Sequence, residues 1–114
     1  YCAQQRHQET LAVLAMFQHR AGRTADARRT AEESLRLPGP EGGCMNLVDY
    51  WAVSGDRTRA LRQLRRLFEM RMIDYDITGD GDLQSLHGDP EYEAIASAQK
   101  EHLARLQRAP AEGR

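Results

Sequence analysis

Residues 11–35, LAVLAMFQHRAGRTADARRTAEESL, and residues 44–68, CMNLVDYWAVSGDRTRALRQLRRLF, lay over one another with a glycine at the same place in each. Those glycines, Gly22 and Gly55, are 33 residues apart. Eleven and eight residues before them stand Leu11 and Leu14 in the first copy, Cys44 and Leu47 in the second, followed by the small or modest Ala15 and Val48. Five residues after each glycine is an alanine, Ala27 or Ala60; nine after come Ala31 and Leu64, and thirteen after come Leu35 and Phe68. Apolar residues three and four apart describe one face of an α-helix. A glycine between two such faces permits the tight turn of a helical hairpin. Two helices approach closely only where one presents small side chains, and Ala15 with Ala27, or Val48 with Ala60, would supply that contact.

Working outward, the first helix is expected from about Ala3 to Arg20, with Leu11, Leu14 and Gln18 on one face and Ala15 one turn beyond Leu11. Gly22 ends it, and Thr24 caps a second helix from Ala25 to about Leu37 that buries Ala27, Ala31, Ser34 and Leu35. Pro38-Gly39-Pro40 stops that helix. A third helix spans about Cys44 to Ser54, with Leu47, Val48 and Trp51 on one face. After Gly55, Asp56 is the N-cap of a fourth, Arg57 to about Met72, which turns Leu61, Leu64, Leu67 and Phe68 inward. Residues 73–88 are rich in Asp and Gly and read as irregular. Asp89 followed by Pro90 is a strong start signal for a fifth helix carrying Ile95, Leu103 and Leu106. Few β-branched residues and no sustained alternation leave the fold class all-α.

A helix–turn–helix unit of this length, with this order of large and small positions, resembles the tetratricopeptide repeat (TPR). The resemblance implies two repeats, about 4–38 and 43–72, an acidic loop 73–88 and a capping helix 89–108 in a domain 1–108, with residues 109–114 as a disordered tail. The first copy departs from the pattern at Gln18, where an aromatic is expected; the second has Trp51 there but lacks a closing proline. From Gly43 to about Leu106 the chain also looks like the C-terminal end of many bacterial multidomain proteins. There, repeats of this type stand behind an effector domain, and the Asp89-Pro90 helix packs back as a cap. This implies a non-catalytic interaction or regulatory tail, and the start at Tyr1 carries the expectation of an upstream effector.

The resemblance also implies that the first helix of each hairpin lines a groove. Carried over by offset from the two glycines, the groove residues are Glu9, Ala12, Val13, Met16 and His19, then Met45, Asn46, Asp49 and Val53. The lysines that some family members use to clamp a partner's carboxylate are missing. Met16, Met45 and Val53 beside Glu9 and Asp49 suit an apolar or basic segment of a protein or peptide partner. Because a stack of two repeats leaves its first helix uncovered on one side, Val13, Met16 and Phe17 are also expected to seek a second copy in a homodimer.

Other classes are less well served. Net charge is −1 with 29 % charged residues, so no overall field draws the chain to nucleic acid or membrane. Asp74 to Glu93 holds seven acids and no Lys or Arg, whereas Arg57 to Arg71 holds six arginines and one acid, so pairing of the two segments is expected. The longest apolar run, Leu11 to Phe17, is too short for a membrane span. Cys2 and Cys44 make no disulfide framework, and a reduced, cytoplasmic setting is expected. The four histidines lack paired ligand spacing, and the serines lack a nucleophile context, so no catalytic residue and no cofactor is assigned.

The sharpest rival is Asp76-Ile77-Thr78-Gly79-Asp80-Gly81-Asp82-Leu83, which reads as the start of a calcium loop and resembles that of dockerins. Asp76, Asp80 and Asp82 are its candidate ligands, but the twelfth position is His87 where a bidentate carboxylate is needed. The expectation is therefore an acidic, solvated turn without a metal. A calcium-binding module and an enzyme fragment are the alternative functions.

Overall fold

Among the described residues, three helix ends close by the same device. Gly22 and Gly55, at φ +83° and +92°, and Arg71, at φ +57°, each take the left-handed conformation just past a helix. The next N–H then reaches back to the last full turn: Arg23 N–H to the Gln18 carbonyl, Asp56 N–H to that of Trp51 and Met72 N–H to that of Leu67, each at 2.9 Å. This satisfies carbonyls that a helix end otherwise leaves open. Glycine accepts the conformation without strain, which explains its recurrence at 33-residue spacing.

The computed structural model describes residues 2–36 and 45–112, with side chains for 7–36 and 45–108. The helices are α1 (Cys2–Arg20), α2 (Thr24–Ser34), α3 (Met45–Ser54), α4 (Arg57–Glu69) and α5 (Pro90–Glu112), with 3-10 turns at Ile77–Gly79 and Gly81–Leu86. The fold is all-α, as expected, and no strand occurs among the described residues. The stop at Pro38-Gly39-Pro40, the Gly42-Gly43 pair and the start at Cys44 lie outside the described residues.

α1 packs along α2 and α3 along α4, each pair joined by a short turn, and α1 also packs on α3. The enclosed residues of the first pair are Ala12, Ala15, Ala27 and Ala31, all fully buried. Small side chains there let the backbones approach. The face expected for α1 needs correction. Leu14 is 44 % exposed and Leu11 only half-buried, while Gln8, Ala12 and Ala15 form the buried stripe. The cause is that α1 is flanked by both α2 and α3, which rotates its inward arc toward the alanines. In the second pair, Leu47, Val48, Trp51, Ala60, Leu64 and Leu67 are buried as expected.

α4 ends at Glu69 rather than Met72, because Arg71 has turned left-handed. The N-cap of α2 is Arg23, with no side-chain cap, so Thr24 is a helical residue and not the cap. Asp56 and Asp89 do cap: Asp56 accepts from Arg59 N–H at 3.2 Å, and Asp89 from Glu91 N–H at 2.9 Å. α5 runs to Glu112, past the end expected at residue 108 and through Pro110.

The largest correction concerns residues 73–88. Most of their polar positions face water, but the segment is more than a solvated turn. Ile73, Ile77, Leu83 and Leu86 are buried, and the second 3-10 turn packs on α3. Ser85 Oγ donates to the Ala52 carbonyl at 3.1 Å, and the buried Gln99 side chain of α5 donates to the Ile73 carbonyl at 2.6 Å. The acidic and arginine-rich segments meet as expected: Arg57 lies 3.7 Å from Asp89 and Arg65 pairs with Glu91. With α1, α4 and the 3-10 turn all against it, α3 is buried from Leu47 to Ala52 without interruption.

Candidate binding groove and acidic cluster

α1 and α3 leave a cavity of about 180 Å³ between them, lined by Ala12, Val13, Met16, Phe17, Arg20, Asn46, Asp49 and Asp82. A wider hollow of about 430 Å³ is lined by Glu9, Thr10, Val13 and Asn46, sharing Val13 and Asn46 with the first. Six of the residues expected in the groove therefore come together here: Glu9, Ala12, Val13, Met16, Asn46 and Asp49. Of these, Ala12 is fully buried and forms only the floor. The apolar wall is open to water, with Val13 40 % and Phe17 65 % exposed.

His19, Met45 and Val53 are placed elsewhere. His19 borders a separate cavity of about 270 Å³ with Arg28, Tyr50 and Ser54, its ring 6.1 Å from that of Tyr50. Met45 packs against the core, and Val53 is half-buried. Along the C-terminal half of α3, Tyr50 and Ser54 line that separate cavity, and the segment holding Leu83 to Leu86 packs on another flank, where Ser85 meets the Ala52 carbonyl.

At one end of the smaller cavity three carboxylates converge. One oxygen each of Asp49, Asp80 and Asp82 lies within 4.8 Å of the others. The chain places them by short-range capping. Asp80 opens the second 3-10 turn by accepting from Asp82 N–H at 3.0 Å, and its other oxygen accepts from Tyr75 OH at 3.1 Å. Asp82 faces Arg20 of α1 at 3.2 Å. Asp49 reaches in from α3, 9 % exposed, and its Oδ1 is buried with no hydrogen-bond partner among the described residues. Burial, then the hydrogen bond and charge of Asp80, then the charge of Asp82, push the Asp49 carboxyl up to about 8. Burial, then the charges of Asp80 and Asp49, push the Tyr75 hydroxyl up as well.

Asp76, the first candidate ligand of the linear calcium loop, stands apart from this cluster. It is exposed, and one of its oxygens accepts from both Thr78 N–H at 3.0 Å and Thr78 Oγ1 at 2.6 Å. Those bonds hold its carboxyl below the ordinary range. His87, at the twelfth position, stacks on Tyr92 with ring centroids 5.2 Å apart. The loop is thus built from Asx caps and two 3-10 turns, and it brings Asp80 and Asp82, but not Asp76, into the cluster. The sequence did hold one signal for the cluster: Asp49 is the sole charged residue of α3, within the otherwise apolar run from Leu47 to Val53.

No family model, curated protein or solved structure matches this chain. Among the described residues, no helix is long and apolar enough to cross a membrane.

Proposed function

We propose that this chain is a non-catalytic protein-interaction module of the TPR kind, acting as a regulatory part of a larger bacterial cytoplasmic protein, and that the α1–α3 groove receives an apolar segment of a protein partner. The observation that carries the reading is the open apolar wall of Val13, Met16 and Phe17 facing Asn46 across a cavity. Exposed aromatic and aliphatic side chains around a concavity are what a partner's apolar residue displaces water from. The acids Glu9 and Asp49 disfavour an acidic segment and tolerate a basic one. Two hairpins closed by equivalent glycines, with a fifth helix against the second, support the repeat reading. A second copy of the chain is the simplest occupant when no other partner is present.

The test has two arms. Light scattering on the wild-type chain and on Phe17→Glu reads self-association, and a display library of peptides reads binding of apolar segments. A dimer that Phe17→Glu dissociates without loss of helicity, or peptides whose binding is lost in Val13→Glu, is the expected result. A chain that stays monomeric and enriches no peptide refutes the proposal.

A further inference from the structure

We propose that Asp49, Asp80 and Asp82 form a binding site for a hard divalent cation of the calcium type, tying the 3-10 turn at residues 81–86 to α3. The site joins a helix to a loop more than thirty residues further along the chain, so it is not the linear loop that the sequence suggests.

Acids crowd on many protein surfaces without holding an ion. Asp49 sets this cluster apart. It is carried on a helix buried from Leu47 to Ala52 and is itself nine-tenths buried. Its Oδ1 is enclosed with no hydrogen-bond partner among the described residues, and it places a carboxylate oxygen within 4.8 Å of one on each of the two other acids. An acceptor enclosed in that way is costly unless something positive meets it. Arg20 does not, because its pairing is with Asp82 at the solvent side. Arg20 thus leaves Asp49 without a cationic partner among the described residues, and Asp49 and Asp82 both line the cavity from which an ion would enter.

The donors select the ion. All three are carboxylate oxygens, with neither sulfur nor imidazole in the cluster, which is the donor set of hard cations. Oxygens within 4.8 Å of one another can share an ion with metal–oxygen distances of about 2.3–2.6 Å. The adjoining cavity of about 180 Å³ has room for the waters that complete a coordination shell, and Asn46 on its wall offers a neutral amide oxygen. Two of the three acids sit on a segment whose own backbone bonds are short-range turns, so binding orders that segment against α3.

The test is thermal unfolding of the EDTA-stripped chain at neutral pH, with and without millimolar CaCl2, for the wild type, Asp49→Asn, Asp82→Asn and Asp76→Asn. Calorimetric titration of CaCl2 gives the stoichiometry. One ion is expected per chain, with a rise in melting temperature of at least about 4 °C that EDTA reverses. Asp49→Asn and Asp82→Asn abolish the rise, and Asp76→Asn retains it. Asp82 is partly exposed, so its variant carries the test should Asp49→Asn fail to fold. A melting temperature indifferent to Ca²⁺ overturns the site. So does a rise that survives in the Asp82 variant, or one that Asp76→Asn removes, which would return the ion to the linear loop. The assay involves no peptide, so its failure leaves the groove proposal standing, and the reverse holds too.

Discussion

Replacing Asp49 by asparagine should stabilise this protein at neutral pH in the absence of metal. Asp49 is nearly enclosed and faces Asp80, Asp82 and, through Asp80, Tyr75, while Arg20, which lines the same cavity, is paired with Asp82. Its carboxyl is pushed from an ordinary 3.8 up to about 8, chiefly by burial. A raised folded-state value means the native protein holds the proton more tightly than the unfolded chain. The associated stability is therefore complete below about pH 4 and drains away as pH rises toward about 8. Each unit of pH across that window costs about 1.4 kcal/mol at most. Neutral pH lies some three units into the window, which sets a ceiling of about 4 kcal/mol. The site borders a cavity open to water, and the three acids share their protons, so about 2 kcal/mol is the working expectation. Asparagine has nearly the same shape, carries no charge, and can donate from its amide to Asp80. Urea unfolding in EDTA at pH 4.5, 6.0 and 7.5 measures the effect. Asp49→Asn should exceed the wild type by about 2 kcal/mol at the highest pH, with the gap closing toward pH 4.5. A variant less stable at pH 7.5, or a gap that does not change with pH, refutes the argument that burial of this charge is what the native state bears.

Three further outcomes follow from the packing. Ala60 is fully buried where α4 meets α3, so Ala60→Leu should lower stability by about 1–3 kcal/mol in chemical unfolding through overpacking. Gly55 has φ +92° and open space where a Cβ would stand, so Gly55→Ala should cost about 1–2 kcal/mol from backbone conformation alone, with the helical circular-dichroism signal kept. Gln99→Leu leaves the Ile73 carbonyl without its 2.6 Å donor and should cost about 1–3 kcal/mol. Hydrogen exchange in that variant should quicken first around residues 73–77, before α1 and α2 are affected.

How much of the candidate site was legible depends on how its residues are brought together. Glu9, Val13 and Met16 share a side of α1 by helical spacing alone, so the groove wall could be read from the first hairpin. His19 and Val53 were expected in the same groove yet have other surroundings: Tyr50 approaches His19, and Val53 is half-buried next to Ala52, whose carbonyl the 3-10 segment meets. Asp80 and Asp82 were visible as an acidic pair. Asp49 was visible as a groove residue, but nothing local says that these acids meet.

The sequence alone determined where the helices are and how they end. Apolar residues three and four apart, Gly22 and Gly55 at the turns, and Asp89-Pro90 at the start of α5 act within a few residues of themselves, so they need no partner to be read. It also determined that arginines 57–71 would meet the acids beyond residue 74, since such charges neutralise one another. The tertiary structure decided which arc of α1 is buried, that Ile73, Ile77, Leu83 and Leu86 join the core while most of the residues between them face water, and that Asp49 is enclosed beside Asp80 and Asp82. The physical reason is range. Helical periodicity and capping are set by neighbours in the chain, whereas burial of α3 on every side is set by α1, α4 and the 3-10 segment arriving from distant positions. The acid cluster exists only because that arrival carries two carboxylates to a third.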